Sequence, residues 1–307
     1  MYRVVFLVLL YIFSLGCSSN NEGIEERLEP SLKVESWAYQ LQNASVEELS
    51  NSPFELVVID YSRDGTEDGR YTREEIEKLK ERGKIPIAYI SIGEAESYRF
   101  YWNDTWSSEP PSWLGEENTD WKENYAVKYW DVEWKKIIYN YIDKIVSQGF
   151  LGLYLDKVDE FEYWAGKERL TEEDTAQRMI DFIEEIASYC REKLENCYIV
   201  PQNGERILGF DKGKLVSIVS GWAVEDMFYD GTVPVPIAET EERLLFLSRI
   251  KNTGKPIFSV DYVDDGINSE ENINKVKDYL SKAKDSGLIP YVARTDRNLD
   301  ELVIIKW

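Results

Sequence analysis

The 307-residue chain contains no histidine. That absence excludes Ser-His-Asp and Cys-His catalytic arrangements and every metal site that depends on imidazole. Proton transfer near neutral pH falls to Asp, Glu, Tyr, Lys or Cys, and carboxylates are the abundant choice. Cysteine is scarce, with only Cys17, Cys190 and Cys197. Positive charge is in deficit: 36 Lys and Arg stand against 58 Asp and Glu, a formal net charge of -22. Nucleic acid and anionic lipid need a positive face, so neither is expected as a partner, and a cationic one is favoured. On charge alone, acid that merely keeps the protein soluble is the plainer reading.

Long apolar runs are missing too. The longest, Val4 to Phe13 in "MYRVVFLVLLYIFSLGCSSNNEG", is too short for an ordinary transmembrane helix and follows a basic Arg3. It fits an export signal over residues 1–16. "SLGC" followed by "SSNN" resembles a bacterial lipoprotein signal with Cys17 as the lipidated residue, although Ser14 stands where leucine is usual. A simply cleaved signal is the alternative. Residues 17–31 are then a tether, and the membrane is reached only through the anchor. Export also permits a bridge between Cys190 and Cys197 across the helix end at Glu195-Asn196, the alternative being two unpaired thiols.

From residue 32 to 307, apolar strand runs alternate with amphipathic helical runs. Strands are expected within 34–41, 55–62, 85–93, 151–158, 197–204, 216–224, 255–263 and 288–295. Several are nearly continuous in Val, Ile, Leu and Tyr, as in parallel strands covered on both faces. Between them, "TREEIEKLKERG" carries Thr72 as N-cap and Gly83 as stop signal, and four further segments repeat the pattern. The expected fold is a single (β/α)8 barrel, with a doubly wound open sheet as competitor.

Active sites of such barrels lie at the C-terminal strand ends. Those ends present Asp60 and Tyr61, Glu94 and Glu96, then Asp156, Asp159 and Glu160. Gln202 and Asn203, Glu225 and Asp226, and Asp261 with Asp264 and Asp265 complete the rim. Structural carboxylates sit more often on helix faces, where solvation is cheap. So many on one mouth favour a polar site. Carboxylates without histidine suit glycoside hydrolysis by a pair of acids, or an oxygen-ligated Mg²⁺ or Ca²⁺ site. A long insertion after the third strand, with Trp102, Trp106, Trp113, Trp121, Trp130 and Trp134, favours sugar. A lid that packs on itself is the plainer reading, and about half of these tryptophans are expected to serve packing alone.

"LVVIDY", "IAYISIGEAESYRFYW", "GLYLDKVDEFEYW", "VPQNGE" and "VEDMFY" together resemble the endo-α-1,4-polygalactosaminidase family of glycoside hydrolases, family 114 and its relatives. The resemblance runs from about Trp37 to Tyr262 and implies a (β/α)8 barrel acting on a cationic amino-sugar polysaccharide. It places the strand-four aspartate on Asp156 and the strand-six glutamate on Glu225, with Asp226 the competing neighbour. It implies sugar contacts by Asp60, Glu94, Tyr98, Gln202 and Asn203, beside which Tyr61, Trp102, Asp159, Glu160 and Asp261 are rim candidates. Neither cofactor nor metal is expected. Some relatives are labelled as related to cysteinyl-tRNA synthetase, an activity that needs a histidine-containing nucleotide signature this chain cannot supply. The rival readings are a non-catalytic carbohydrate-binding lipoprotein and a divalent-metal enzyme built on the acidic rim.

Overall fold

The structure, a computed structural model, describes residues 31–306. The signal segment, Cys17 and all of the expected tether except residue 31 lie outside the described residues.

Eight parallel strands carry the fold. They are β1 (Trp37–Gln40), β2 (Leu56–Ile59), β3 (Ile85–Ser91), β4 (Gly152–Asp156), β5 (Tyr198–Pro201), β6 (Trp222–Glu225), β7 (Ile257–Asp264) and β8 (Ile289–Arg294). β1 to β5 form one parallel ladder in chain order, and β6 to β8 form a second. A single parallel bridge, Gln202 to Ala223, links the β5 end to β6. On the opposite flank, Trp37 Nε1 donates to the Ile289 carbonyl at 2.8 Å. The Leu41 and Gln42 amides both donate to the Leu299 carbonyl, at 2.9 and 3.0 Å.

Every residue of β1, β2 and β7 is buried, which explains their continuous apolar runs: helices cover one face and aromatic rings fill the other. Between the strands, Trp37 lies 5.2 Å from Phe258, and Tyr39 lies 5.1 Å from Tyr154, ring centre to ring centre. Each large apolar side chain enclosed in this way contributes about 1.5–3 kcal/mol.

The helices begin and stop where capping chemistry requires. Thr72 opens Arg73–Glu81 with a reciprocal capping box to Glu75, and Gly83 follows the helix at φ +75°. Val132–Gln148, Glu172–Lys193, Ile237–Lys251 and Glu270–Asp285 occupy the other expected helical segments. One expectation is corrected. The stretch 216–224 is not a single strand, because Lys214–Ile218 is helical and β6 starts only at Trp222. The Asp211 carboxylate accepts from the Gly213 and Leu215 amides at 3.0 and 3.1 Å, which starts a helical turn in an otherwise strand-like sequence. Cys190 and Cys197 are disulfide-bonded, with Cα atoms 6.0 Å apart, and the bridge joins the end of Glu172–Lys193 to the entrance of β5.

Between β3 and Val132–Gln148, the aromatic-rich segment folds as a three-stranded antiparallel sheet of Glu94–Glu96, Asn124–Val127 and Leu114–Glu117, in that spatial order.

Candidate active site

Asp156 ends β4 and Glu225 ends β6, two strands apart in the parallel order, and both side chains are partly exposed. Asp156 Oδ2 accepts from the Tyr89 hydroxyl at 2.8 Å, and Oδ1 accepts from the Lys157 amide at 2.8 Å. Its carboxyl is pushed up to about 7, first by burial and then by the Glu225 charge, while the Lys157 ammonium pulls the other way. Glu225 is likewise raised by burial, against hydrogen bonds from Tyr262 and Asn203 that favour its ionised form. Asn203 Nδ2 donates to Glu225 Oε2 at 3.1 Å, and Asn203 Oδ1 accepts the Glu225 amide at 2.9 Å. The Tyr262 hydroxyl donates to Glu225 Oε1. Burial thus raises both carboxyls, and the Glu225 charge adds to the effect on Asp156.

Asp226, next in sequence, is engaged by an arginine. Both its oxygens accept from Arg297, each at 2.9 Å. Arg243 Nη1 donates to the carbonyls of Glu225 and Asp226 at 3.1 and 2.9 Å, and its Nε donates to the Glu205 carboxylate.

Behind Asp156 lies a second acidic group around one ammonium. Lys157, at φ +62°, brings Nζ within 3.2 Å of Glu94 Oε1 and 4.0 Å of Glu160 Oε2. Asn118 Nδ2 donates to the same Glu94 oxygen at 2.8 Å. Glu160 is buried with Oε1 unpartnered, and burial raises it to about 9 against the pull of the Lys157 ammonium. Two glycines allow these loops to meet. A Cβ on Gly93 would lie 2.2 Å from the Lys157 carbonyl oxygen, and one on Gly204, at φ +59°, 2.7 Å from the Asp159 amide nitrogen.

Other rim candidates are engaged within the protein. Asp60 is buried and accepts from Arg99 at 2.7 and 2.9 Å; burial nonetheless raises it to about 6. The same guanidinium holds Glu96 through Nε at 2.6 Å and Nη2 at 3.0 Å, and the Tyr98 hydroxyl adds a 2.6 Å bond to Glu96. Arg99 thus ties the insertion to the end of β2. Tyr61 is fully buried, with edge-to-face contacts to Tyr141 and Phe100, so it has no surface to offer a ligand. Asp261 is also fully buried, and its oxygens accept the amides of Met227, Phe228 and Tyr229, each at 2.8 Å. It shapes the turn after Glu225 rather than the mouth. Gln202, fully buried, accepts from the Tyr39 hydroxyl at 3.2 Å, and its Nε2 is unpartnered.

A cleft of about 480 Å³ opens beside the pair. Asp159, Glu162, Glu205, Glu225, Asp226, Glu239 and Glu242 line it against Arg206 and Arg243; Asp156 is not part of that lining. The tryptophans of the insertion largely pack on one another. Trp102 to Trp106, Trp106 to Trp113 and Trp113 to Trp134 are 5.2, 5.0 and 5.2 Å apart, and Trp134 Nε1 donates to the Ile92 carbonyl at 2.9 Å. Trp102 also meets Tyr125 at 5.0 Å and stays only partly exposed. Trp121 is 52% exposed, the largest such ring surface among the described tryptophans. No group of three or more Cys, Asp and Glu side chains among the described residues is arranged to hold a metal ion.

Sequence reasoning missed Tyr89, Tyr262, Arg99, Arg243 and Arg297. Tyr89 alternates with Ser91, which is in register with Asp156, so period-two counting along β3 points to it. No comparable signal marks the arginines.

A family model described as glycoside-hydrolase family GH114 matches residues 20–306. An uncharacterized protein of Methanocaldococcus jannaschii is 60% identical over 268 residues, covering 87% of this chain and 77% of its own length. Another, of Thermotoga maritima, is 48% identical over 304 residues, covering 99% of this chain and 93% of its own. The glycoside hydrolase domain of PelA from Pseudomonas aeruginosa superposes with a TM-score of 0.67 at 20% identity, over 88% of this chain and 98% of that one. Aspergillus fumigatus Ega3, solved in complex with galactosamine, gives 0.64 at 18% identity, over 88% and 94%. At such identities the likeness to the solved structures is one of fold.

Proposed function

The chain belongs to glycoside-hydrolase family GH114, and from that premise we propose that it is an exported, lipid-anchored (β/α)8 enzyme cleaving an α-1,4-linked galactosamine-type polysaccharide. Asp156 and Glu225 are its two working carboxyls. The observation that carries this reading is the placement of the pair: Asp156 and Glu225 end β4 and β6, each accepting from a tyrosine hydroxyl. Burial, followed by the Glu225 charge, raises Asp156 to about 7. One carboxyl then holds the proton that protonates the leaving oxygen. The other, ionised, attacks the anomeric carbon or activates water. A net charge of -22 and the acidic cleft suit a cationic polymer. Closure of the eight strands into one barrel is supported by the Trp37 to Ile289 bond on one flank and the Gln202 to Ala223 bridge on the other.

The test is incubation of the mature protein with partly deacetylated polygalactosamine, followed by product sizing. Asp156→Asn and Glu225→Gln are expected to lose about 10²–10⁴-fold in rate while still binding oligosaccharide. Full activity in Glu225→Gln would move its role to Asp226 or Glu160. Binding without cleavage by the wild-type chain would leave a carbohydrate-binding lipoprotein. Loss of cleavage on chelation would point to a divalent metal.

A further inference from the structure

Glu225 and Asp226 are adjacent carboxylates that line one cleft, yet their partners differ: Tyr262 and Asn203 hold Glu225, and Arg297 holds Asp226. Alternation along β6 sends consecutive side chains to opposite sides, and φ +50° at Asp226 turns the chain where the strand ends. Asp226 is then taken up by a fork: Arg297 Nη1 and Nη2 donate to its two oxygens, each at 2.9 Å, and Nη2 also reaches Asp230 at 2.7 Å. The same guanidinium lies 4.4 Å from the ring centre of Tyr262, whose hydroxyl donates to Glu225. Arg297 sits in the loop after β8, at φ +61°, outside every strand and helix. Resting on the reading of Glu225 as a working carboxyl, we propose that Arg297 is its positioning residue. It ties up the competing Asp226 in a bidentate ion pair and backs the tyrosine that orients Glu225.

Each contact has a separate consequence. The bidentate pair neutralises a carboxylate that would otherwise stand beside Glu225 as a second acid. Stacking on Tyr262 fixes the ring plane and so the direction of its hydroxyl. Arg243 secures the same peptide from the other side through its two carbonyls, so Arg297 controls the side chains while Arg243 holds the backbone. The groups acting on Glu225 are Tyr262, Asn203, Asp226 and Arg297, with Asp156, Tyr39 and Tyr154 sharing its field. Those acting on Asp226 are Arg297, Asp230 and Arg243. Arg297 favours the ionised form of both acids, so its loss moves both titrations to higher pH.

Arg297→Met and Arg297→Lys are compared with the wild-type chain after thermal unfolding has checked that each folds. Two properties are followed against pH: kcat and KM on partly deacetylated polygalactosamine, and the carboxyl titrations by 13C NMR. In Arg297→Met, the Glu225 titration and the matching limb of the kcat profile both move up by about one pH unit. KM changes by less than about twofold, since the defect lies in the reacting group and not in uniform binding. Adding Asp226→Asn to Arg297→Met restores most of the original profile, which a purely structural role for Arg297 would not do. Arg297→Lys, with the charge but not the fork, falls between. An unmoved Glu225 titration in Arg297→Met, or no recovery in the double variant, overturns the proposal. If the wild-type chain does not cleave the polymer, the hydrolase reading fails. The two titrations, in Arg297→Met and in the double variant, then decide the positioning role alone.

Discussion

The Tyr89 hydroxyl, on β3, donates to Asp156 Oδ2, on β4, at 2.8 Å. Ser91 and Asp156 are in register across the same pair of strands, so the bond runs diagonally from two residues back, within reach of a long tyrosine side chain. It favours the ionised form of a carboxyl that burial, the larger effect, nonetheless raises to about 7. Tyr89→Phe removes a donor without changing the packed shape. One hydrogen bond is worth about 0.5–1.5 kcal/mol, so the Asp156 titration is expected to rise by up to about one pH unit. In the pH profile of kcat/KM the limb belonging to Asp156 moves to higher pH. Movement of the acid limb assigns Asp156 as the ionised partner, and movement of the basic limb assigns it as the proton donor. A profile that stays in place would remove Tyr89 from the mechanism.

The tryptophans of the insertion divide by burial. Trp113 is 3% exposed and lies between Trp106 and Trp134, so Trp113→Ala is expected to cost about 3–5 kcal/mol in urea unfolding. Trp121→Ala, at a largely exposed ring, should stay within about 0.5 kcal/mol. If both variants unfold alike, the packed column is not what holds the insertion together.

Glu160 gives stability a pH dependence of defined sign. Its folded value of about 9 lies above the ordinary 4.5, so the folded chain binds the proton more tightly than the unfolded one. Its neutral form therefore supports the fold fully below pH 4.5, and that support declines as pH rises from there towards 9. Glu160→Gln keeps the shape and cannot ionise. Relative to wild type it should gain about 1–3 kcal/mol between pH 5 and pH 9, measured by urea unfolding at both values. A constant difference across that range would mean that Glu160 is already ionised, held by Lys157.

The disulfide closes a short loop between Cys190 and Cys197 at the N-terminal end of β5, away from the carboxyl pair at the strands' other ends. Replacing both cysteines by serine should cost about 2–3 kcal/mol in unfolding free energy and leave kcat/KM unchanged. A fall in kcat/KM with the fold intact would show that the bridge also governs the site.

The chain's own order determined much of this protein. Continuous Val, Ile, Leu and Tyr runs mark strands covered on both faces, and all eight expected strands form, six of them inside the expected bounds. Thr72, Thr171 and Ser269 start helices by local hydrogen bonds that need no tertiary partner. Strand ends counted along the chain mark the acidic rim, and the family resemblance picks Asp156 and Glu225 out of it. Only the tertiary structure decided which carboxylates meet one another, which meet arginine and which are enclosed. Asp226 and Arg297 are 71 residues apart, and Asp60 and Arg99 are 39. Nothing in either local sequence encodes those pairings. Asp261 looked like a rim residue by its place on β7, yet three backbone amides from the neighbouring turn enclose it. The tryptophans had the composition of a sugar platform, and packing turned most of them on each other. Strand and cap preferences act over a few residues, whereas charge pairing and burial depend on which distant loops come within a few ångströms.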